Sequence, residues 1–450
     1  MVDIARSIAP GRTEVTIRAG GRWLHVGIHD HHLHLRSLAA AGESLGVGPD
    51  QLDGERTFRS VVQNHSAHLP TGAWLRAVGY HDSVAGPLDR HVLDSIVDDR
   101  PLRVQHRSGE LWILNSSAID RLELSQDAPV GVERDADGIP TGRFWRLDSW
   151  LDGRWPAPGL TGWTELSRAA AAVGVTGWTD ATPDRSDAEE AELVAAVESG
   201  DILQRLHLLS APRSAEWSPE ANGRASRGAM KILLDDADLP SFDGLVASIE
   251  RAHLAGRPVA VHCVTRVQTV LAVTALEAAG SNGSDRIEHG AVIPTEMFGQ
   301  IRDLGLTVVT QPNFVFERGD RYLAEVDERE LPDLWRAGSL MRSGVRVAIG
   351  TDAPFGDADP WKAMHAAVDR STMLGQVLGA DEAVTPEEAL RWCSGGAGTP
   401  WLPRLIAQGA PADLVLLDDP PHRAVTLGRP SVAATWIDGR LVHLDGLDIS

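Results

Sequence analysis

The chain has 450 residues, 43% hydrophobic and 23% charged, which is ample for a large soluble core. Its formal net charge of −21 excludes nucleic acid and anionic membrane as expected partners, since the bulk field repels both. No apolar run reaches the roughly 18 residues of a membrane helix. The opening Met1-Val-Asp-Ile-Ala-Arg lacks an export-signal layout, and Cys263 and Cys393 give no disulfide framework. A cytoplasmic protein is expected.

Residues 1 to about 25 read as one or two β-strands around the Gly20-Gly21 turn. With a β-rich segment at 400–450 they are expected to form a small β-sandwich. The stretch Gly27-Ile-His-Asp-His-His-Leu-His34 then closes a strand. Side chains alternate along a strand, so His32 and His34 share a face and can grip one divalent ion through neutral ring nitrogens. His29 and His31 fall on the other face, where packing is the expected role. Further strands are expected at 74–79, 102–105, 175–179, 206–209, 230–234, 258–262, 286–289, 306–310 and 345–350. Helical runs at 164–172, 187–198, 242–255, 267–279, 295–304 and 331–343 alternate with them. This α/β rhythm predicts a (β/α)8 TIM-like barrel over 26–399. A Gly-, Pro-, Asp- and Trp-rich stretch at about 109–160 breaks the rhythm and reads as an insertion capping the barrel mouth. Its aromatics, Trp112, Phe144, Trp145, Trp150 and Trp155, are expected as satellite-core packing rather than substrate contacts. Near the end, a helix at 386–392 has Thr385 as its N-cap and acidic residues in its first turn.

Several predicted strands carry a titratable group at or near their ends: His34, Lys231 within 230–234, His262, His289, and Asp352 just after 345–350. In a β/α barrel the strand C-termini converge on one rim, so residues distant in sequence become neighbours there. Nitrogen and carboxylate donors suit zinc and its neighbours. His32 and His34 would hold a first ion, and His262 and His289 would complete it or hold a second. Only two basic residues are lysines, Lys231 and Lys362; all others are arginine. Lys231 lies among Met230, Ile232, Leu233 and Leu234, an apolar setting that lowers an amine pKa. It would either become a carbamate bridging two cations or remain a buried lysine paired with a carboxylate such as Asp235. Asp352 can touch the metal and carry a proton. His81 and His106, also at predicted strand ends, are candidate substrate contacts or ordinary loop histidines.

In these motifs the sequence resembles the amidohydrolase superfamily, and within it amidohydrolase family 3, which includes N-substituted formamide deformylases and other N-acyl amide hydrolases. Asp30-His-His32-Leu-His34 is similar to the family's first metal motif, and Arg286-Ile-Glu-His289-Gly to its second-metal histidine motif. Lys231 falls at the bridging-lysine position. Asn115-Ser-Ser-Ala-Ile119, Asp137-Gly-Ile-Pro-Thr-Gly142, Gln311-Pro312, Gly350-Thr-Asp352-Ala-Pro354 and Ala410-Pro-Ala-Asp413 complete the order. The resemblance implies metal-activated water cleaving the C–N bond of a small-molecule amide, with Asp352 as proton shuttle and one or two zinc ions. Deamination, hydrolysis of a cyclic amide or ester, and a silent binding barrel are the alternatives; a homodimer is compatible with a barrel of this size. Departures lie on the substrate side: Cys263-Val-Thr-Arg266 follows His262, Gly109-Glu110 replaces a Gly-His pair, and Arg143-Phe-Trp-Arg146 stands where the family's segment often ends in an acidic residue.

Overall fold

The computed structural model describes residues 19–49, 51–52, 54–124, 128–151, 153–155, 162–183, 185–210 and 223–446. The part of the expected N-terminal strands that precedes residue 19 lies outside the described residues. The chain divides into two compact units, Arg36–Gly162 and the remainder.

The larger unit is built on eight parallel strands that pair in chain order. They are β1 (Ile28–Leu33), β2 (Val175–Asp180), β3 (Arg205–Ser210), β4 (Ala225–Ile232), β5 (Val259–Cys263), β6 (Arg286–His289), β7 (Thr307–Thr310) and β8 (Arg346–Ile349). Runs such as Thr307-Val-Val-Thr310 are buried along their whole length, as strands covered on both faces must be. The first and last strands meet at the C-terminal rim. There the Asp352 amide donates to the His32 carbonyl at 2.8 Å and the His34 amide to the Ala353 carbonyl at 2.8 Å. Asp30 reinforces the seam, accepting from the Thr351 amide at 3.0 Å and its hydroxyl at 2.6 Å. Gly350 sits at the tightest point, where a Cβ would collide with the His32 backbone.

Helices follow the expected pattern, among them Trp163–Ala172, Asp187–Ser199, Phe242–Leu254 and Arg266–Ala279. Capping boxes start three helices, through Ser186/Glu189, Thr265/Gln268 and Thr385/Glu388. The helices expected at 295–304 and 331–343 are shorter and enter through 3₁₀ turns at Thr295–Met297 and Leu331–Asp333. Several helices lie outside the expected runs, among them Asn313–Glu325, Pro360–Asp369 and Pro421–Leu427. The N- and C-terminal segments share a four-stranded antiparallel layer: Trp23–Val26 pairs with Leu414–Leu417, followed by Val432–Ile437 and Arg440–Leu444. No helix among the described residues is long and apolar enough to cross a membrane.

The 36–162 unit has its own six-stranded sheet. Leu45–Gly46, Leu75–Tyr80 and Leu102–His106 run parallel, and Leu111–Leu114, Pro140–Trp145 and Val132–Arg134 extend the sheet antiparallel. Two strands expected in the barrel, at 74–79 and 102–105, therefore belong here, and the unit starts at Arg36 rather than near 109. The reason is local: strand, helix Glu55–His68 and parallel strand carry the same periodicity as a barrel repeat. Trp112 and Phe144 are buried in a small core against which Trp150 and Trp155 pack, and Trp145 is partly exposed. The guanidinium of Arg103 lies 4.2 Å from the Trp155 ring centre.

Candidate metal centre

The rim gathers His32 and the five residues singled out at or near strand ends. His34 Nε2 lies 3.1 Å from Asp352 Oδ1, and His32 Nε2 lies 3.4 Å from the same oxygen. Ligand atoms of His32, His34 and Asp352 all fall within 4.8 Å of one another, a spacing that one ion can bridge. His289 Nδ1 is 4.0 Å from Asp352 Oδ2. Its ring centre is 4.7 Å from that of His32 and 4.5 Å from that of His262. Lys231, on the neighbouring strand to His262, is close enough for its charge to act on His32, His262 and His289.

Backbone geometry aims two of these groups. His289 and Asp352 both adopt left-handed conformations, at φ 68° and 58°. Such residues cost about 1 kcal/mol or more each, and persist where the surroundings enforce them. Here Gly290 continues the left-handed turn after β6, and the seam hydrogen bond of the Asp352 amide fixes the turn after β8.

Burial sets the protonation states. Desolvation first, then the Lys231 charge and neighbouring imidazoles, holds His32 well below the usual histidine range. Burial followed by the charges of His262 and His32 does the same for His289. His262 is pushed down to about 3 by burial, then by Lys231 and His34. The Lys231 amine is also lowered by burial, against an opposing pull from Glu288 and Asp352. Burial thus keeps the imidazoles of His32, His262 and His289 neutral, the form in which histidine binds metals. Two buried nitrogens, His32 Nε2 and Lys231 Nζ, have no hydrogen-bond partner. Each orphan costs about 1–3 kcal/mol unless something accepts its interaction. A donor set left unsatisfied in this way fits a divalent cation.

Supporting residues were not assigned roles from sequence. His32 Nδ1 pairs with Glu288, itself clamped by Arg286 through Nε at 2.6 Å and Nη2 at 3.1 Å. Gln311 Oε1 lies 2.8 Å from His289 Nδ1, and Thr182 Oγ1 lies 3.2 Å from His34 Nδ1. Asp180, at the end of β2, accepts from the Leu35 and Thr182 amides, both at 2.9 Å. The available signal for the first two was Arg286 and Glu288 alternating within one short strand. His29 and His31 are buried with stacked rings 4.5 Å apart, and His29 Nε2 meets Thr179 Oγ1 at 2.9 Å. The absence of a side chain at Gly177 makes room for the His29 ring.

His81 and His106 belong to the 36–162 unit, at the ends of adjacent strands. Their rings are 5.5 Å apart. Each turns Nδ1 onto the backbone two residues ahead, accepting from the Ser83 and Ser108 amides at 3.1 Å.

A closed run of parallel strands with histidines, a lysine and an aspartate at its C-terminal rim is the framework of a metal-dependent hydrolase. The sequence pattern of the amidohydrolase family matches residues 15–443, and the chain belongs to that family, in the family 3 branch. It is accordingly a hydrolase acting on carbon–nitrogen bonds. The chain is 28% identical to the N-substituted formamide deformylase of Arthrobacter pascens, covering 94% of this chain and 88% of that enzyme. It is 22% identical to the putative amidohydrolase YtcJ of Bacillus subtilis, covering 97% and 91%. An uncharacterized metal-dependent hydrolase from Pyrococcus furiosus superposes with a TM-score of 0.69 at 21% identity, covering 90% and 89%, a likeness of fold.

Proposed function

We propose that the chain hydrolyses the amide bond of a small molecule, with Asp352 as the proton carrier. His32, His34, His262 and His289, with Lys231 and Asp352, would hold one or two zinc ions. The observation that carries this reading is the position of Asp352, one oxygen within 3.4 Å of both His32 and His34 Nε2. A divalent cation there supplies Lewis acidity, making water acidic near neutral pH and drawing electron density from the carbonyl oxygen.

The protein's own groups do the rest. The imidazoles of His32, His262 and His289 stay neutral and offer lone pairs, because burial has stripped them of the charged form. As the water oxygen bonds to the carbonyl carbon, Asp352 takes the proton it sheds. As the C–N bond breaks, Asp352 returns that proton to the departing nitrogen, leaving a carboxylic acid and an amine. Lys231 in its uncharged state can bond to carbon dioxide and release one proton to solvent. Carbamylated Lys231 would then offer two oxygens in place of one nitrogen as a metal-holding group. Formyl amides with a substituted nitrogen are the first substrates to try, in view of the Arthrobacter enzyme's name. Buried, unpaired Cys263 and Cys393 accord with a reducing cytoplasm.

The test is metal analysis of the purified protein beside hydrolysis of a panel of N-formyl and N-acyl amines. One to two equivalents of metal, with activity lost to a chelator and restored by zinc, is expected. Full activity at less than about a third of an equivalent would overturn the reading.

A further inference from the structure

We infer that Arg286 and Glu288 are positioning residues that commit His32 to a single ring tautomer, making it a stronger cation ligand than His289. The inference rests on the metal centre proposed above.

Glu288 is fully buried, and both its oxygens are engaged. Oε1 accepts from Arg286 Nε at 2.6 Å, while Oε2 accepts from Arg286 Nη2 at 3.1 Å and faces His32 Nδ1. Arg286 is anchored in turn: Nη2 also donates to the His31 carbonyl at 2.8 Å, on the strand that carries His32. Residues 286 and 288 are two apart on β6 and so point to the same side. A carboxylate paired with a guanidinium can only accept. The proton of the His32 ring therefore sits on Nδ1, and its lone pair on Nε2. That nitrogen has no hydrogen-bond partner and lies 3.4 Å from Asp352 Oδ1.

His289 is held by the same device in a weaker form. Its Nδ1 meets Gln311 Oε1 at 2.8 Å, and the Gln311 amide nitrogen donates to the Val309 carbonyl at 3.4 Å. An ionised carboxylate behind an imidazole raises its basicity as a ligand, whereas a neutral amide chiefly orients it. The two ligands are unequal by construction.

The test measures zinc dissociation constants by chelator competition on the full chain. E288Q should weaken zinc binding about 10- to 100-fold, and Gln311→Met less than about tenfold. An E288Q protein that folds and holds zinc within about twofold of wild type would overturn the inference, as would an equal cost from both variants. Removing the Glu288 charge leaves Arg286 buried without its partner, so a second measurement needs no variant. Nitrogen NMR of metal-free, ¹⁵N-histidine-labelled wild type should place the His32 proton on Nδ1. A proton on Nε2 would overturn the pairing. Failure of wild type to bind zinc, with the Nδ1 tautomer still observed, would count against the metal centre and leave the positioning pair standing.

Discussion

Histidines close strands in both units of this molecule, and the two units treat them in opposite ways. At the barrel rim, His32 is fully buried, its Nδ1 is taken by a carboxylate, and its Nε2 is left without a hydrogen-bond partner. In the 36–162 unit, His81 and His106 are half-buried and spend Nδ1 on the amides of Ser83 and Ser108. Both pairs sit at strand ends, so position alone does not make a ligand. What separates them is desolvation together with a partner that frees the outward nitrogen. The first arrangement is costly unless a cation relieves it; the second stabilises a turn.

The comparison can be broken in several places. The largest effect is expected from Asp352→Asn, which removes the proton carrier and should lower kcat by about 10³-fold. Its thermal unfolding in metal-free protein should move by no more than a few degrees. A kcat loss below tenfold would take Asp352 out of the chemistry. Lys231→Arg keeps a cation but cannot become a carbamate. Metal content should drop and activity should fall about 10- to 100-fold; unchanged stoichiometry would leave Lys231 a simple buried amine.

A third prediction concerns a desolvated carboxylate at the start of the helix Pro360–Asp369. Burial raises Asp359 to about 6, although its side chain caps the helix at the Trp361 amide. Its folded pKa lies above the unfolded value, so ionisation increasingly opposes folding as pH rises from about 4 to about 6. The penalty is absent below about 4 and reaches at most about 3 kcal/mol above pH 6. Asn can cap the same helix without charge. Asp359→Asn should therefore raise the unfolding midpoint at pH 8, with the gain shrinking between pH 6 and 4; a gain independent of pH would contradict this. The smallest effect is expected from His81→Ala, about 1 kcal/mol of stability from the lost cap, with metal content unchanged. A tenfold rise in KM in that variant would make the ring a substrate contact as well.

Much of the barrel was legible because a parallel strand covered on both faces is written as a short apolar run. The polar residue ending it stands out against that run, as His262 does after Val259-Ala-Val. Gathering at the rim then follows from topology, without any knowledge of side-chain geometry. The start of the 36–162 unit was not legible, since a parallel pair spanned by a helix reads the same in either sheet. The helix Asn313–Glu325 was hidden by its charge and by Gly319, which tertiary packing against Thr372 tolerates. Glu288 and Arg286 sat inside a recognised motif, yet their roles depend on a residue 256 positions away in sequence. No local pattern reports such a contact.

The central claim is that the buried rim cluster is a cation site. An anomalous difference map from crystals of the zinc-loaded protein tests it most directly. The account predicts a peak within bonding distance of His32, His34 and Asp352, with any second peak beside His262, His289 and Lys231. A fully occupied zinc peak elsewhere on the molecule, with this cluster empty, would contradict it.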